Sequence, residues 1–315
     1  MRVLVAGASG FIGTRLRQRL ADDGHEVIRL VRRRAQAPDE VSWSPAAGII
    51  DFTVMDRVDA VVSLSGAPLT KLPWTKRYKV ELLESRISAT RTLTDAMRKA
   101  RRPPAVFLSG SAVGIYGDRP GESLTEHSPA GTGFLAEVVA KWEAAATLAP
   151  HDTRTVLLRT GIVVEDGGAM KPIEFITKLG VAGRLGTGGQ HWPWIALDDE
   201  VGAIAHLLDS ELAGPVNLVG PVPATADRLM AAMARRLHRP YAIPAPAGAL
   251  SLALGTAADE LLLSSQKVRP ERLLADGYRF RCETVESALD AMFSPEPTAA
   301  PAARSEPSAR NAPVR

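Results

Sequence analysis

Short apolar runs and longer amphipathic stretches alternate along the first half of the chain. Apolar runs predict strands, and stretches with apolar residues every three or four positions predict helices. Strands are predicted at residues 3–6, 26–31, 59–64, 105–109 and 155–159, with helices at residues 12–20, 80–99 and 133–148 between them. Alternating strands and helices build a parallel sheet that is covered on both faces. We therefore predict an α/β protein with a doubly wound parallel sheet.

The pattern changes after Gly161, where glycine and proline become frequent and loops are expected. Residues 216–219 are predicted to form a late strand that returns to the first sheet. Helix patterns at residues 224–237 and 247–263 then predict a smaller C-terminal α+β lobe. Residues after 293 are rich in Pro, Ala, Ser and Arg without periodicity, which predicts a disordered tail.

A glycine motif follows directly after the first predicted strand and opens the first predicted helix. It reads Gly7-Ala8-Ser9-Gly10-Phe11-Ile12-Gly13. Glycines at such a corner permit a tight turn, let the backbone approach a pyrophosphate and let the helix pack closely on the sheet. Backbone N–H groups at the helix N-terminus then bind the phosphates. The motif indicates a dinucleotide in a Rossmann domain; the alternative is a turn without a ligand.

The end of the second predicted strand indicates which dinucleotide is bound. Enzymes that use NAD usually place an acid there, whereas arginine suits the 2′-phosphate of NADP. Here Val31 is followed by Arg32, Arg33 and Arg34, and no acid occurs before Asp39. We therefore predict NADP(H), with Arg32 at the 2′-phosphate. The alternative is a solvated run of charges.

Further motifs narrow the resemblance. They include Leu64-Ser65-Gly66-Ala67-Pro68, Ser85-Arg86-Ile87, Ser111-Ala112-Val113-Gly114-Ile115-Tyr116-Gly117, Trp142-Glu143, Arg159-Thr160-Gly161 and Gln266-Lys267-Val268-Arg269-Pro270. With the glycine motif, they resemble the extended short-chain dehydrogenase/reductase superfamily, and within it the atypical epimerase family proteins, over residues 1–293. Those proteins end in a short domain of unknown function. The resemblance implies a Rossmann domain over residues 1–220, of which 165–193 contribute to the substrate lobe, a small domain over 221–293 and a tail over 294–315.

The resemblance also implies cofactor contacts at matching positions. Gly7, Gly10 and Gly13 would hold the pyrophosphate, together with their motif neighbours Ser9, Phe11 and Ile12. Leu64 and Ser65 would line the path to the adenosine and ribose. Glu81 and Arg86 would also contact the cofactor, and Val163 would approach the nicotinamide. The alternatives are core packing for Leu64 and Val163, and a pair on the helix surface for Glu81 and Arg86.

The catalytic tyrosine and lysine of classical superfamily members, spaced four residues apart, do not occur. The residues four positions after Tyr78, Tyr116, Tyr241 and Tyr278 are Leu82, Pro120, Ala245 and Cys282. Alignment on Glu143 puts Leu135 and Val139 at the two positions, and neither side chain can transfer a proton. Ser111 and Tyr116 are the predicted substitutes. The alternatives are a strand-end hydroxyl bonded to the backbone for Ser111 and a packed wall residue for Tyr116.

Other polar residues also carry predictions. His191, between Gln190 and two tryptophans, is a possible substrate contact or a solvated loop residue. Asp198 and Asp199 are predicted to cap a helix that begins at Glu200. One cysteine and scattered histidines give no metal-ligand spacing, so we expect no metal.

Composition excludes several classes of function. A net charge of +3 over 315 residues is too small to indicate a nucleic-acid-binding face. The chain has one cysteine, no apolar run long enough to cross a membrane and no signal-peptide pattern, so a cytoplasmic protein is expected. Oligomeric state is left open.

Two main hypotheses remain. The first is an NADP(H)-dependent oxidoreductase or epimerase acting on a small polar or sugar-like substrate. The second is a non-catalytic NADP(H)-binding sensor or assembly factor, which the missing tyrosine–lysine pair favours. A third hypothesis is binding to nucleic acid or to a surface through the basic tail.

Overall fold

The structure is a computed structural model that describes residues 1–294. The strands are β1 Arg2–Ala6, β2 Glu26–Val31, β3 Glu40–Ser44, β4 Ile49–Ile50, β5 Ala60–Ser63, β6 Val106–Ala112, β7 Ser123–Leu124, β8 Arg154–Thr160, β9 Ile162–Val164, β10 His191–Trp192, β11 Trp194–Ala196, β12 Gly214–Leu218, β13 Ala224–Thr225 and β14 Lys267–Val268. The helices are α1 Phe11–Asp22, α2 Lys76–Lys99, α3 Phe134–Ala146, α4 Met170–Lys178, α5 Leu197–Asp209, α6 Ala226–Arg236, α7 Ala247–Leu254, α8 Thr256–Ala258, α9 Glu271–Ala275 and α10 Val285–Met292. All but the first residue of the predicted tail lies outside the described residues.

Eight strands form one sheet in the order β12-β8-β6-β5-β1-β2-β3-β4. Every pairing in it is parallel except that of β4 with β3. The chain runs outward from β1 through β2 to β4, then returns to β5 on the other side of β1. The carboxyl ends of β1 and β5 therefore form the switch point at which open α/β sheets bind ligands. The predicted doubly wound sheet is confirmed.

Alternate residues of β1 enter two different cores, as expected for a strand that is buried on both faces. Val3 and Val5 pack with α1 and α5 on one face of the sheet. Leu4 and Ala6 pack with α2 on the other face. These two layers fix the ends of the strands relative to the helix N-termini, which is what positions the candidate site.

A further apolar core lies outside the sheet layers. It is built from two separate parts of the chain, residues 164–196 and 224–292, and includes Trp192, Trp194 and Met230. The C-terminal part is mainly helical, and its strands β13 and β14 have two residues each. The predicted boundaries between the domains stay a prediction.

Several predicted elements differ from the structure. The helix predicted over residues 247–263 is broken at Gly255, whose φ of +58° ends α7, and the chain continues as a short helix and a π-turn. Helix α5 begins at Leu197 after Ala196, so the prediction that Asp198 and Asp199 cap it was wrong. Both lie in its first turn, where carboxylates interact favourably with the helix dipole. Strands β3 and β4 were not predicted, because β3 alternates polar and apolar residues and β4 has only two residues.

No helix within residues 1–294 is long and apolar enough to cross a membrane. Within the same residues, no group of three or more His, Cys, Asp or Glu side chains is arranged to hold a metal ion.

Candidate functional site

The glycine motif forms the corner between β1 and α1. Gly7 has a φ of +83°, a conformation that side chains rarely adopt, and a Cβ there would lie 2.9 Å from the carbonyl carbon of Leu64. A Cβ on Gly13 would lie 2.1 Å from the carbonyl oxygen of Gly7. Both positions therefore require glycine, because the backbones of three segments meet there. Leu64 follows β5, so this contact lies at the switch point.

Helix α1 begins without a side-chain cap. Gly10 is its N-cap residue, and its own N–H donates to the carbonyl of Gly7 at 2.9 Å. Within the described residues, the N–H groups of Phe11, Ile12 and Gly13 have no acceptor. Free amides at the positive end of a helix dipole form an anion-binding site. The corner is therefore suited to a pyrophosphate.

The three arginines after β2 differ in their partners. Arg33 makes two hydrogen bonds of 2.7 Å to the carboxylate of Glu40. The Arg33 guanidinium lowers the pKa of Glu40 to about 2. Arg32 is exposed, and no acid in the described part of the chain pairs with it. Its charge is therefore available to a ligand at the carboxyl end of β2, beside the glycine corner.

Arg86 on α2 is a half-buried charged group near this edge of the sheet. Its guanidinium lies 5.3 Å from the centre of the Trp142 ring and donates to the carbonyl of Leu82 at 2.9 Å. A Cβ on Gly66, in the loop after β5, would lie 3.1 Å from the Arg86 Cζ. Burial lowers the pKa of Arg86 to about 10. Among residues 1–294 it has no carboxylate partner, and an unpaired buried cation favours an anionic ligand.

Glu81 is exposed and Arg86 is half-buried. The ion pairs formed among residues 1–294 do not include one between them, so the alternative of a pair on the helix surface gains no support. Leu64 and Ser65 lie at the switch point, as the resemblance implies. Val163, on β9, is buried in the core beside α5, which agrees with its packing alternative. Whether these residues contact a cofactor stays a prediction.

A cleft of about 140 Å³ opens at the carboxyl ends of β6 and β8. Apolar side chains form most of its wall. Leu135 and Val139, which occupy the aligned positions of the missing tyrosine and lysine, both line it, as do Trp142 and Trp192. The polar side chains that line it are those of Arg86, Thr160, Glu260, Ser264 and Gln266.

Ser111 and Tyr116, the predicted catalytic residues, belong to a buried polar network. The Ser111 hydroxyl donates to Glu143 at 2.6 Å, and Glu143 accepts two hydrogen bonds from Arg159, of 2.8 and 3.0 Å. The Tyr116 hydroxyl accepts from Arg159 at 3.0 Å and donates to Asn217 at 2.7 Å. Tyr116 is fully buried, and burial raises the pKa of its hydroxyl.

Neither Ser111 nor Tyr116 is among the residues that line the cleft. Their hydroxyl groups are satisfied inside the protein, and such networks mainly hold a core in one arrangement. Their catalytic role stays a prediction, and the geometry favours the structural interpretation.

Glu260 connects the C-terminal part of the chain to the cleft. Its carboxylate accepts the N–H groups of Phe134 at 2.7 Å and of Leu135 at 3.2 Å, and so caps α3. Gly133, the N-cap residue, offers no side chain for this purpose. Because Glu260 is far in sequence from Phe134 and Leu135, no local sequence pattern could reveal this cap.

His191 lies on β10, half-buried, and is not among the residues that line the cleft. Its N–H donates to Ser265 at 3.1 Å, and burial lowers the pKa of its ring. Asp199 accepts the N–H groups of Arg281 and Cys282, which ties α5 to the segment before α10. Asp198 pairs with Arg15 and Arg281.

Sequence reasoning missed Glu200. It lies on α5, has no exposed surface and accepts a hydrogen bond from the Thr160 hydroxyl at 2.8 Å. Burial raises its pKa to about 8. A signal was present, because Glu200 precedes Ala203 by three residues and Ile204 by four, and so shares their buried helix face.

Comparison with known proteins places this geometry in a family. A model described as the NAD dependent epimerase/dehydratase family matches residues 3–220, and a model of a domain of unknown function, DUF1731, matches residues 245–292. The chain belongs to the NAD dependent epimerase/dehydratase family. This membership confirms the resemblance drawn from the sequence motifs.

Two relatives and one solved structure illustrate the similarity. An epimerase family protein of Mycobacterium tuberculosis is 38% identical over 290 residues, which are 91% of this chain and 96% of the relative. Epimerase family protein SDR39U1 of Bos taurus is 38% identical over 299 residues, 92% of this chain and 98% of the relative. A crystal structure of human epimerase family protein SDR39U1 with NADPH superposes with a TM-score of 0.85 at 34% identity, covering 93% of this chain and 99% of that one.

Proposed function

We propose that this protein binds NADP(H) across the carboxyl ends of its sheet and uses it in an oxidoreductase or epimerase reaction on a small polar or sugar-like substrate. One observation carries the proposal. Among the described residues, the free backbone N–H groups of α1 and the unpaired guanidinium of Arg32 follow the carboxyl ends of two adjacent strands, β1 and β2. NADP likewise carries two separate anionic groups, a pyrophosphate and a 2′-phosphate, which the adenosine ribose joins. The NADPH in the structure of the human relative supports the same cofactor.

The residues that would hold the cofactor lie at neighbouring strand ends. The corner at Gly7–Gly13 would bind the pyrophosphate, Arg32 the 2′-phosphate, and Leu64 and Ser65 the adjoining path. Arg86 would contribute a further cation to the phosphates or to a substrate anion. When bound, the nicotinamide ring exchanges a hydride with a substrate carbon. The cleft beside Trp142 and Trp192 would exclude water from that exchange.

A charge reversal at Arg32 tests the cofactor assignment. Arg32→Glu should weaken NADPH binding by at least about tenfold, because it replaces a charge-assisted hydrogen bond with repulsion. NADH, which lacks the 2′-phosphate, should be affected far less. Arg91→Glu, an exposed change of equal charge on α2, is the matched control and should leave both affinities unchanged. Equal losses for NADPH and NADH with Arg32→Glu would refute the assignment.

A second candidate function is a non-catalytic NADP(H)-binding sensor. The apolar Leu135 and Val139 in the cleft wall, and the satisfied hydroxyls of Ser111 and Tyr116, favour it. An assay of NADPH oxidation with a panel of small ketones, aldehydes and sugar nucleotides distinguishes the two candidate functions. Turnover by the wild type supports the enzyme, and tight NADPH binding without turnover of any of them supports the sensor.

A further inference from the structure

Glu200 is a buried acid with only one hydrogen-bond partner. Its Oε1 accepts from the Thr160 hydroxyl, and its Oε2 is buried without a partner in residues 1–294. A carboxylate with so little compensation is costly in a protein interior, whereas a neutral carboxylic acid is tolerated. Accordingly, burial raises the pKa of Glu200 to about 8, and the Thr160 hydrogen bond opposes this increase.

The charged and titratable groups around α5 are engaged elsewhere. Arg15 contacts Asp198, Arg19 pairs with Asp23, and Arg159 pairs with Glu143 on the opposite face of β8. The Tyr278 hydroxyl donates to the carbonyl of Asp199 at 2.9 Å. None of these groups forms a hydrogen bond with Glu200. The same holds for the other titratable or charged groups near the helix, which are Arg154, Glu165, Asp198, Asp199, His206, Arg281 and Cys282.

Thr160 links this acid to the cleft. It is the last residue of β8, and both Thr160 and Gly161 line the cleft. The glycine corner lies at β1 and Arg32 at the end of β2, so a bound dinucleotide would place its adenosine half toward β2. Its nicotinamide half would then lie on the other side of β1, where β5, β6 and β8 follow. Thr160 and its hydrogen-bond partner Glu200 belong to that side of the sheet.

We propose, building on the proposed function, that Glu200 exchanges a proton with solvent according to the redox state of the bound cofactor. It keeps its proton beside the reduced, uncharged nicotinamide and releases it beside the oxidised ring, which carries a positive charge. The carboxylic acid of Glu200 gives one carboxylate and one proton, and solvent accepts the proton. Charge therefore balances, and no other reactant is needed.

The size of the effect follows from the charge. A nearby positive charge lowers the pKa of a carboxylic acid by about 1 to 3. At about pH 7.5, NADP⁺ should therefore release about half a proton or more per chain, and NADPH close to none. By reciprocity, raising the pH from about 6 to about 9 should strengthen NADP⁺ binding relative to NADPH by about tenfold.

Titration calorimetry in two buffers of different ionisation enthalpy measures the protons released on binding each cofactor form. The 2′-phosphate titrates in both forms, so its contribution cancels in the difference between NADP⁺ and NADPH. Glu200→Gln retains an acceptor for Thr160 but cannot ionise, and we expect it to bind both forms with equal proton release. The control Glu174→Gln removes a buried acid that pairs with Lys178 on α4, outside the cleft, and should retain the wild-type difference.

Substitutions at Thr160 test the link. Thr160→Ser keeps the hydroxyl and should preserve the proton difference, whereas Thr160→Val should reduce it by removing the hydrogen bond that lowers the pKa of Glu200. Equal proton release for NADP⁺ and NADPH in the wild type, or an unchanged difference in Glu200→Gln, would overturn this inference and leave NADP(H) binding intact. Absence of heat with either form would instead overturn the proposed function.

Discussion

The buried acid Glu200 makes stability depend on pH in a way that one substitution removes. An acid in an unfolded chain has a pKa near 4.5, and in the folded protein burial raises the pKa of Glu200 to about 8. Between these values the unfolded chain has lost the proton and the folded protein has kept it. The unfolded state then binds fewer protons, so the free energy of unfolding falls as pH rises through this window. Below both values Glu200 has no effect on the pH dependence.

The magnitude follows from the two pKa values. One proton of difference changes the free energy of unfolding by about 1.4 kcal/mol per pH unit. Between about pH 6 and about pH 8 the wild type should therefore lose about 2 kcal/mol relative to Glu200→Gln, which cannot ionise. Other groups, including Asp199 and Glu165, titrate in both proteins and cancel in the comparison.

Urea unfolding of both proteins, followed by tryptophan fluorescence across this pH range, measures the difference. The free energy of unfolding of Glu200→Gln, measured relative to that of the wild type, should increase progressively as pH rises. A stability difference that stays constant from about pH 6 to about pH 8 would refute the assignment of a neutral, buried Glu200.

Three further predictions concern the corner, the network and the cap. Gly13→Ala should cost about 1–3 kcal/mol of stability and abolish NADPH binding, because its Cβ would overlap the Gly7 carbonyl; unfolding curves and cofactor titration check both. Tyr116→Phe should cost about 1–3 kcal/mol without changing NADPH affinity; lost turnover at unchanged stability would show a catalytic role instead. Glu260→Ala should cost about 1–2 kcal/mol in urea unfolding by uncapping α3, and Glu260→Gln, which keeps one acceptor, should cost less.

Much of the fold could be predicted because the sheet strands are continuous apolar runs and the helices between them are amphipathic. The glycine corner could also be predicted, because its glycine spacing, the strand before it and the helix after it all indicate a dinucleotide-binding turn. Strands β3 and β4 were missed because β3 alternates polar and apolar residues instead of forming an apolar run, and β4 has only two residues. The break at Gly255 was missed because an isolated glycine in a helix pattern does not show whether its φ is positive.

The candidate site was less predictable, because its interactions join distant segments. Glu260 caps α3 across 126 residues, and Arg159 joins Tyr116 to Glu143 through the core. The residue type of Tyr116 suggested chemistry, but only its burial shows that its hydroxyl is occupied. Glu200 could have been noticed as an acid on a buried helix face, although its partner Thr160 could not.

Equilibrium dialysis of NADPH against the wild-type protein tests the central claim most directly, with Gly13→Ala dialysed in parallel as the reference. We predict saturable retention of one NADPH per chain, competed by NADP⁺ and only weakly by NADH at the same concentration. Retention no greater than that of Gly13→Ala up to about 1 mM NADPH would contradict the assignment of the glycine corner and Arg32 to this cofactor.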